Sequence, residues 1–230
     1  LYAHLLLSGD FFSEKGLAPA EIEVELRYIS IDDGSFFTIR RPWTREELGE
    51  QYLAICADYT ELARPLYLHR RMRDEANRKA SFPYGQLREG QRSMMQEVIA
   101  AFRDRTVLFV QAPTGIGKTM AALYPAIKAQ ANGLTDYLFY LTPTRSQRGV
   151  AEDSLDDLER AGSYIRSLTV RAKEQMCLSP GHFCDMKVCP FAVSYHDHLR
   201  DALKKSYGIR RLSPEDVLSL AREFSLCPFE

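Results

Sequence analysis

The feature that most constrains this chain is a glycine-rich turn at 112–119, which is Ala-Pro-Thr-Gly-Ile-Gly-Lys-Thr. A short apolar run of strand type, 106–110, precedes it, and an amphipathic helix through Met120, Leu123 and Ile127 follows. A strand, a tight loop and a helix N-terminus in this order surround an anion with backbone N–H groups. The sequence therefore predicts a nucleotide-binding phosphate loop, and the alternative is a plain glycine turn before a helix.

Each residue type in this loop has an expected task. Lys118 is expected to reach the β- and γ-phosphates of ATP, and the Thr119 hydroxyl is expected to ligate Mg²⁺. Ala112 stands where the general pattern G-x-x-x-x-G-K-[ST] has glycine. The residues expected around the nucleotide are Thr114, Gly115, Ile116, Gly117, Lys118 and Thr119.

Two flanking segments extend this site. Upstream, Phe82 can stack on adenine, and Gln91, three residues after Arg88, can hydrogen-bond its edge. The alternative is an aromatic ring packed on its own domain and a solvated glutamine. Downstream, the hydroxyls of Thr142 and Thr144 can hold a nucleic-acid phosphate at a helix start, although Thr144 also suits a plain N-cap.

The order of elements predicts an α/β fold of the P-loop, RecA-like type. Helices at 91–102, through 120–131 and at 147–161 alternate with strands at 106–110, 137–141 and 165–170, which favours a parallel sheet with flanking helices. Before it, alternating strands at 21–31 and 36–39 join at Asp33-Gly34, and Thr44 with Glu47 forms a capping box that opens a long helix. The charged residues 70–81 are interpreted as a linker.

These patterns suggest three parts: an α+β segment at 1–80 including the linker, a partial motor domain at 81–176, and a mostly helical part at 177–230. The chain has 30 Lys+Arg and 31 Asp+Glu, a net charge of −1, which excludes a globally basic nucleic-acid binder. No apolar run approaches the ~20 residues of a membrane span, so we expect a cytoplasmic protein, nucleoid-associated if bacterial. The first residue is Leu1 rather than Met, and we expect a fragment of a larger enzyme.

Four of the five cysteines form a possible metal site. Cys177, Cys184, Cys189 and Cys227 follow the spacing C-x6-C-x4-C-x37-C. Five cysteines are too few for a disulfide scaffold, so metal binding is favoured. Irregular spacing with Cys-Pro pairs favours iron–sulfur, while zinc and free thiols stay open, with His182 as an alternative ligand. Cys56 is interpreted as an inert core thiol.

The segment 200–211 is basic and carries a tyrosine. Such a surface suits single-stranded nucleic acid, and the alternative is a solvated helix face. The residues expected to contact nucleic acid here are Arg200, Lys204 and Lys205.

Together, Phe82-Pro83-Tyr84, APTGIGKT, YLTPTRSQ and the four later cysteines resemble the DinG/XPD-type superfamily-2 DNA helicases over residues 80–230. This resemblance implies an ATP- and Mg²⁺-dependent helicase moving 5′ to 3′ on single-stranded or forked DNA, expected as a monomer. It also implies that the four cysteines hold a structural [4Fe–4S] cluster. The family's Asp-Glu-x-His box and second motor domain are absent from the sequence, so we expect nucleotide binding without efficient hydrolysis.

Residues 1–65 more weakly resemble the end of a RecB-like PD-(D/E)XK nuclease domain, with Tyr2 at the Tyr end of its Gln-x-x-x-Tyr motif. No nuclease residue is assigned, because the metal-binding carboxylates of that family have no counterpart in the sequence. A structural accessory domain is the alternative for this segment.

Overall fold

A computed structural model describes residues 1–17, 19–180, 184–185 and 187–229. Within it the chain divides into two compact units, Leu1–Arg64 and Pro65–Glu230. No helix in the described ranges is long and apolar enough to cross a membrane.

The first unit contains a short helix, a hairpin and the start of a long helix. Helix α1 (Tyr2–Ser8) is followed by strands β1 (Glu21–Ile29) and β2 (Phe36–Thr44), and helix α2 is Arg45–Lys79. The strands pair antiparallel from Glu21 opposite Thr44 to Ile29 opposite Phe36. The predicted hairpin is confirmed, and its return strand is five residues longer than the alternation at 36–39 suggested.

Local hydrogen bonds explain the hairpin turn and the helix start. Gly34 has a positive φ of 71°, and the Ser35 N–H donates to Asp33 Oδ1 at 3.0 Å. At the start of α2, the Glu47 N–H donates to Thr44 Oγ1 at 3.2 Å and the Thr44 N–H donates to Glu47 Oε2 at 3.0 Å. This reciprocal pair is the predicted capping box, which satisfies two N–H groups at a helix end.

The prediction of a linker at 70–81 is wrong for most of its length, because α2 continues to Lys79. Its charges are satisfied locally, as between Lys79 and Glu75 at 2.7 Å. Asn77 is only 1% exposed, and its Oδ1 accepts a hydrogen bond from the Tyr164 N–H at 2.9 Å. A distant part of the chain therefore stabilises a helical stretch that has no apolar periodicity.

The second unit has a core formed mainly by two helices, each of which follows one of the predicted strands. Its further elements are α3 (Gln91–Asp104), α4 (Lys118–Ala131), α5 (Arg145–Arg160), β3 (Ser167–Leu168), α6 (Lys173–Met176), α7 (Tyr195–Ser206), β4 (Arg211–Leu212) and α8 (Pro214–Glu223). The core joins apolar side chains of α4 and α5 to Ile165: Met120, Leu123, Ile127 and Leu158. The predicted helices of this unit are thus present, with ends shifted by a few residues.

In the described ranges, one of the three predicted parallel strands is present, and it is two residues long. It is β3, which pairs parallel with β4. A strand therefore lies in the cysteine-rich part, residues 177–230, which was predicted to be mostly helical. The segments 106–110 and 137–141 form no strand. Phe109 and Leu141 in them are 92% and 89% exposed. A strand needs a hydrogen-bonded neighbour and cover for its apolar side chains. Leu138 packs against the core, but in the described ranges neither segment has a strand paired beside it.

Candidate nucleotide-binding loop and its surroundings

The glycine-rich turn has the backbone that a phosphate loop requires. Gly115 and Gly117 have φ values of +87° and +81°, a region that glycine occupies at little cost. Gly117 is the N-cap of α4, so the helix begins at Lys118 with its N-terminal N–H groups beside the loop. Ala112 is not among the residues with positive φ. Glycine is therefore not required at that position, and the departure from the general motif leaves the loop geometry intact.

The two residues that follow the glycines bond to nearby groups. Lys118 Nζ donates to the carbonyl oxygens of Ala112 at 3.0 Å and Pro113 at 2.8 Å. The Tyr140 hydroxyl donates to Thr119 Oγ1 at 3.4 Å. The ammonium of Lys118 thus lies against the loop that it closes, which is where a lysine meets nucleotide phosphates. Tyr140 was not predicted, and its place in an apolar run gave no signal for it.

Gln91 and Arg88 contact the phosphate loop. Gln91 is 2% exposed; its Oε1 accepts from the Arg88 N–H at 2.9 Å and its Nε2 donates to the Gly117 carbonyl at 3.4 Å. Arg88 Nη1 donates to the carbonyl oxygen of Gly115. The structure therefore brings together the upstream residues and the loop, and it gives the glutamine a buried supporting position.

Phe82 lies between the core and an open depression. Its ring meets Tyr124 edge-on, with centroids 5.3 Å apart, and Tyr84 at 5.6 Å. It packs against the core cluster of α4 and α5. It also lines, with Tyr84 and Arg88, a depression of about 690 Å³. Phe82 therefore packs on its own domain, which was the alternative to stacking on adenine. Its ring also borders a space large enough for a ligand.

The Thr142–Thr144 segment forms the start of α5. Thr144 is the N-cap, and its side chain accepts from the Gln147 N–H at 3.3 Å. Thr142 Oγ1 donates to the Thr144 carbonyl at 3.3 Å. The capping interpretation is therefore confirmed for Thr144, while both hydroxyls lie at the exposed N-terminus of a 16-residue helix.

The described cysteines do not form a ligand cluster. Cys184 is exposed, and Cys177, Cys189 and Cys227 are half-buried free thiols. In the described ranges no group of three or more His, Cys, Asp or Glu side chains is placed to hold a metal ion. His182 lies outside the described residues. The arrangement therefore does not support the predicted [4Fe–4S] cluster.

A cation lies beside one of these thiols. Lys173 Nζ donates to Cys184 Sγ at 3.0 Å. This hydrogen bond raises the pKa of Lys173, and the charges of Cys184, Cys227 and Cys177 act in the same direction. Of the four thiols, that of Cys184 is thus in direct contact with an ammonium group, whose position the sequence did not indicate.

The basic segment 200–211 is largely engaged in ion pairs. Lys205 Nζ lies 2.6 Å from Glu223 Oε2, Arg210 pairs with Glu159 at 2.5 Å, and Arg211 pairs with Asp156. On α7, Arg200 is half-buried and Lys204 is exposed. Much of the positive charge that predicted a nucleic-acid surface is therefore neutralised within the chain.

Comparison with known proteins agrees with the interpretation of the glycine-rich turn as a nucleotide-binding loop. Residues 88–212 match the DEAD/DEAH box helicase family. A probable ATP-dependent helicase of Methanocaldococcus jannaschii is 43% identical over 105 residues, which are 46% of this chain and 14% of the relative. The chain thus spans about a seventh of that relative's length. No solved structure matches it.

The family match begins at Arg88, includes the whole glycine-rich loop and Gly-Lys-Thr, and continues to the end of β4. Helicases of this family have a RecA-like α/β motor and use ATP with Mg²⁺. The residues present fit that cofactor, because Lys118 and Thr119 are the first residues of α4 and directly follow the loop with two positive-φ glycines. Since the match extends over more than half of its length, the chain belongs to the DEAD/DEAH box helicase family.

Proposed function

We propose that this chain is the nucleotide-binding part of an ATP-dependent DNA helicase of the DinG/XPD type, moving 5′ to 3′ on single-stranded or forked DNA. The observation that carries the proposal is the positive-φ loop of Gly115 and Gly117, with Lys118 at the start of α4. The resemblance over residues 80–230 supports the DNA substrate and the polarity.

In this proposal the chain binds and orients MgATP. Bound MgATP supplies the phosphoanhydride whose hydrolysis drives strand separation. The N–H groups of the loop and of α4 bind the phosphate oxygens, Lys118 neutralises their charge, and the Thr119 hydroxyl is a ligand for Mg²⁺. The glutamine and arginine that contact the loop carbonyls, Gln91 and Arg88, hold its curvature.

Equilibrium binding of a fluorescent ATP analogue to the 230-residue chain tests this proposal. Replacing Lys118 by Ala should weaken binding by about 10-fold or more, because a charge-assisted hydrogen bond is worth roughly 1.5–3 kcal/mol. Lys79→Ala is the matched control, since Lys79 is an exposed lysine that pairs with Glu75 on α2. Equal affinity of wild type and Lys118→Ala, or no binding by wild type, would overturn the proposal.

Nucleic-acid binding is proposed for Thr142, Thr144 and the α7 residues Arg200, Lys204 and Lys205. Anisotropy titration with single-stranded oligothymidine at two salt concentrations should show weaker binding at higher salt. Thr142→Ala should reduce affinity, and Thr60→Ala is its control because Thr60 Oγ1 also donates to a backbone carbonyl, that of Cys56, at 2.6 Å. Equal losses of affinity in the two variants would contradict a DNA contact at the N-terminus of α5.

We further propose that Cys177, Cys184, Cys189 and Cys227 bind a structural [4Fe–4S] cluster in the helicase. The cysteine spacing and the family resemblance support this proposal. Protein purified without oxygen should contain about four iron and four sulfide per chain, since four thiolates ligate that cluster. The content should fall in Cys184→Ser and persist in Cys56→Ser.

Zinc without sulfide in the same preparation would instead support a zinc-bound, nucleic-acid-binding P-loop module without helicase activity. If the preparation contains neither iron nor zinc, the four thiols have no proposed role. The resemblance of residues 1–65 to a nuclease domain stays a prediction.

A further inference from the structure

A tyrosine ties the irregular segment before α3 to α5. Residues 80–90 connect α2 to α3. In their middle, the Tyr84 hydroxyl donates to Asp157 Oδ2 at 2.6 Å, across 73 positions of sequence. Asp157 also pairs through Oδ1 with Arg160 at 2.5 Å. The bond raises the pKa of Tyr84, so the phenol stays protonated and able to donate at neutral pH.

The same segment touches the phosphate loop and the core. Arg88 donates to the Gly115 carbonyl, and the Phe82 ring lies edge-on to both Tyr84 and Tyr124. Phe82, Tyr84 and Arg88 line the depression of about 690 Å³. The segment is thus attached to the phosphate loop through Arg88 and to α5 through Tyr84.

We propose that Tyr84 is a positioning residue for nucleotide: its hydroxyl holds segment 80–90 on α5, so that Phe82 and Arg88 keep their places beside the phosphate loop. The inference rests on the proposed nucleotide-binding function. Tyr84 acts here through Phe82 and Arg88 rather than by contact with the phosphates. Without its hydrogen bond, the segment has more conformations to lose when nucleotide binds, and affinity falls.

Removing the hydroxyl alone tests this role. Tyr84→Phe keeps the ring that meets Phe82 and should weaken binding of a fluorescent ADP analogue about fivefold, the equivalent of one hydrogen bond. Asp157→Ala removes the same bond from the other side and should weaken binding to a similar extent. Asp157→Asn keeps an acceptor oxygen and should restore binding toward the wild-type affinity.

A double-mutant cycle separates this pair from general destabilisation. Because both changes remove one bond, Tyr84→Phe with Asp157→Ala should bind no more weakly than either single variant. Arg160→Ala is the control, since it removes the other partner of Asp157 and should leave affinity unchanged. Additive losses, or an Asp157→Asn variant as weak as Asp157→Ala, would overturn the inference.

The two proposals fail in different ways. Equal nucleotide affinity of wild type and Lys118→Ala would contradict the nucleotide site itself. A wild type that binds nucleotide, a Lys118→Ala variant that does not, and a Tyr84→Phe variant equal to wild type would leave the site in place and refute only the positioning role.

Discussion

Replacing Gly117 by alanine should reveal how tightly the phosphate loop is built. Gly117 has a φ of +81°, and a Cβ there would lie 2.5 Å from Gln91 Nε2. Gly115 has a similar φ of +87°, yet a Cβ there would meet nothing within 4 Å. The two alanine variants therefore share a backbone penalty and differ in one steric clash.

The magnitudes follow from these contacts. A left-handed conformation costs an L-residue roughly 1–2 kcal/mol, which is the whole expected effect of Gly115→Ala. In Gly117→Ala the Gln91 side chain must move as well, and it gives up its bond to the Arg88 N–H. Leaving a buried polar group without a partner adds about 1–3 kcal/mol, so Gly117→Ala should cost about 2–5 kcal/mol in total.

Urea unfolding followed by far-ultraviolet circular dichroism measures both costs, with one transition fitted for each compact unit. Gly115→Ala serves as the matched control for the backbone term. Equal unfolding free energies in the two variants would refute the reasoning, because they would show that Gln91 moves aside freely and does not support the loop.

Two further predictions concern the first unit. Thr44→Ala should lower the stability of α2 by about 1 kcal/mol in thermal unfolding, because it removes the cap that accepts the Glu47 N–H; an unchanged melting curve would contradict this. Hydrogen bonds from Ser35 and Ser30 lower the pKa of Asp33 to about 2. The turn should therefore keep this stabilisation above pH 3.8, the carboxyl's ordinary pKa, and lose it as pH falls through about 2. The Ser35 amide shift should titrate near that lower value in NMR, and a midpoint near the ordinary value would exclude the bond.

Local signals allowed most of the candidate site to be predicted. The Gly-Lys-Thr sequence identified the phosphate loop and the first residues of α4, and Thr44 with Glu47 identified the start of α2. These patterns work because the atoms involved are within a few residues of one another. Gln91 was predicted as a nucleotide contact, but its bonds run to Arg88 and Gly117, and the second of these depends on folding across 26 positions.

The remainder could not be predicted because it depends on distant partners. The helical run to Lys79 is stabilised in part by the buried side chain of Asn77, whose partner Tyr164 is 87 positions away. Likewise, the apolar runs at 106–110 and 137–141 indicate strand propensity, but a strand assignment needs a neighbouring backbone. The residues within a short stretch of sequence indicate neither the distant partner of Asn77 nor a neighbouring strand for the apolar runs.

The basic residues at 200–211 show that charge, too, depends on distant partners that the local sequence does not indicate. The window is strongly basic, which favours nucleic acid if its cations face solvent. Folding instead places Arg210 and Arg211 against the acidic face of α5, at Glu159 and Asp156. Since β4 contains Arg211 and pairs with β3, these ion pairs connect the cysteine-rich part to α5, the helix that Thr144 caps. The basic residues therefore join the two regions proposed to contact DNA, and this joining role requires no phosphate contact from Arg210 or Arg211.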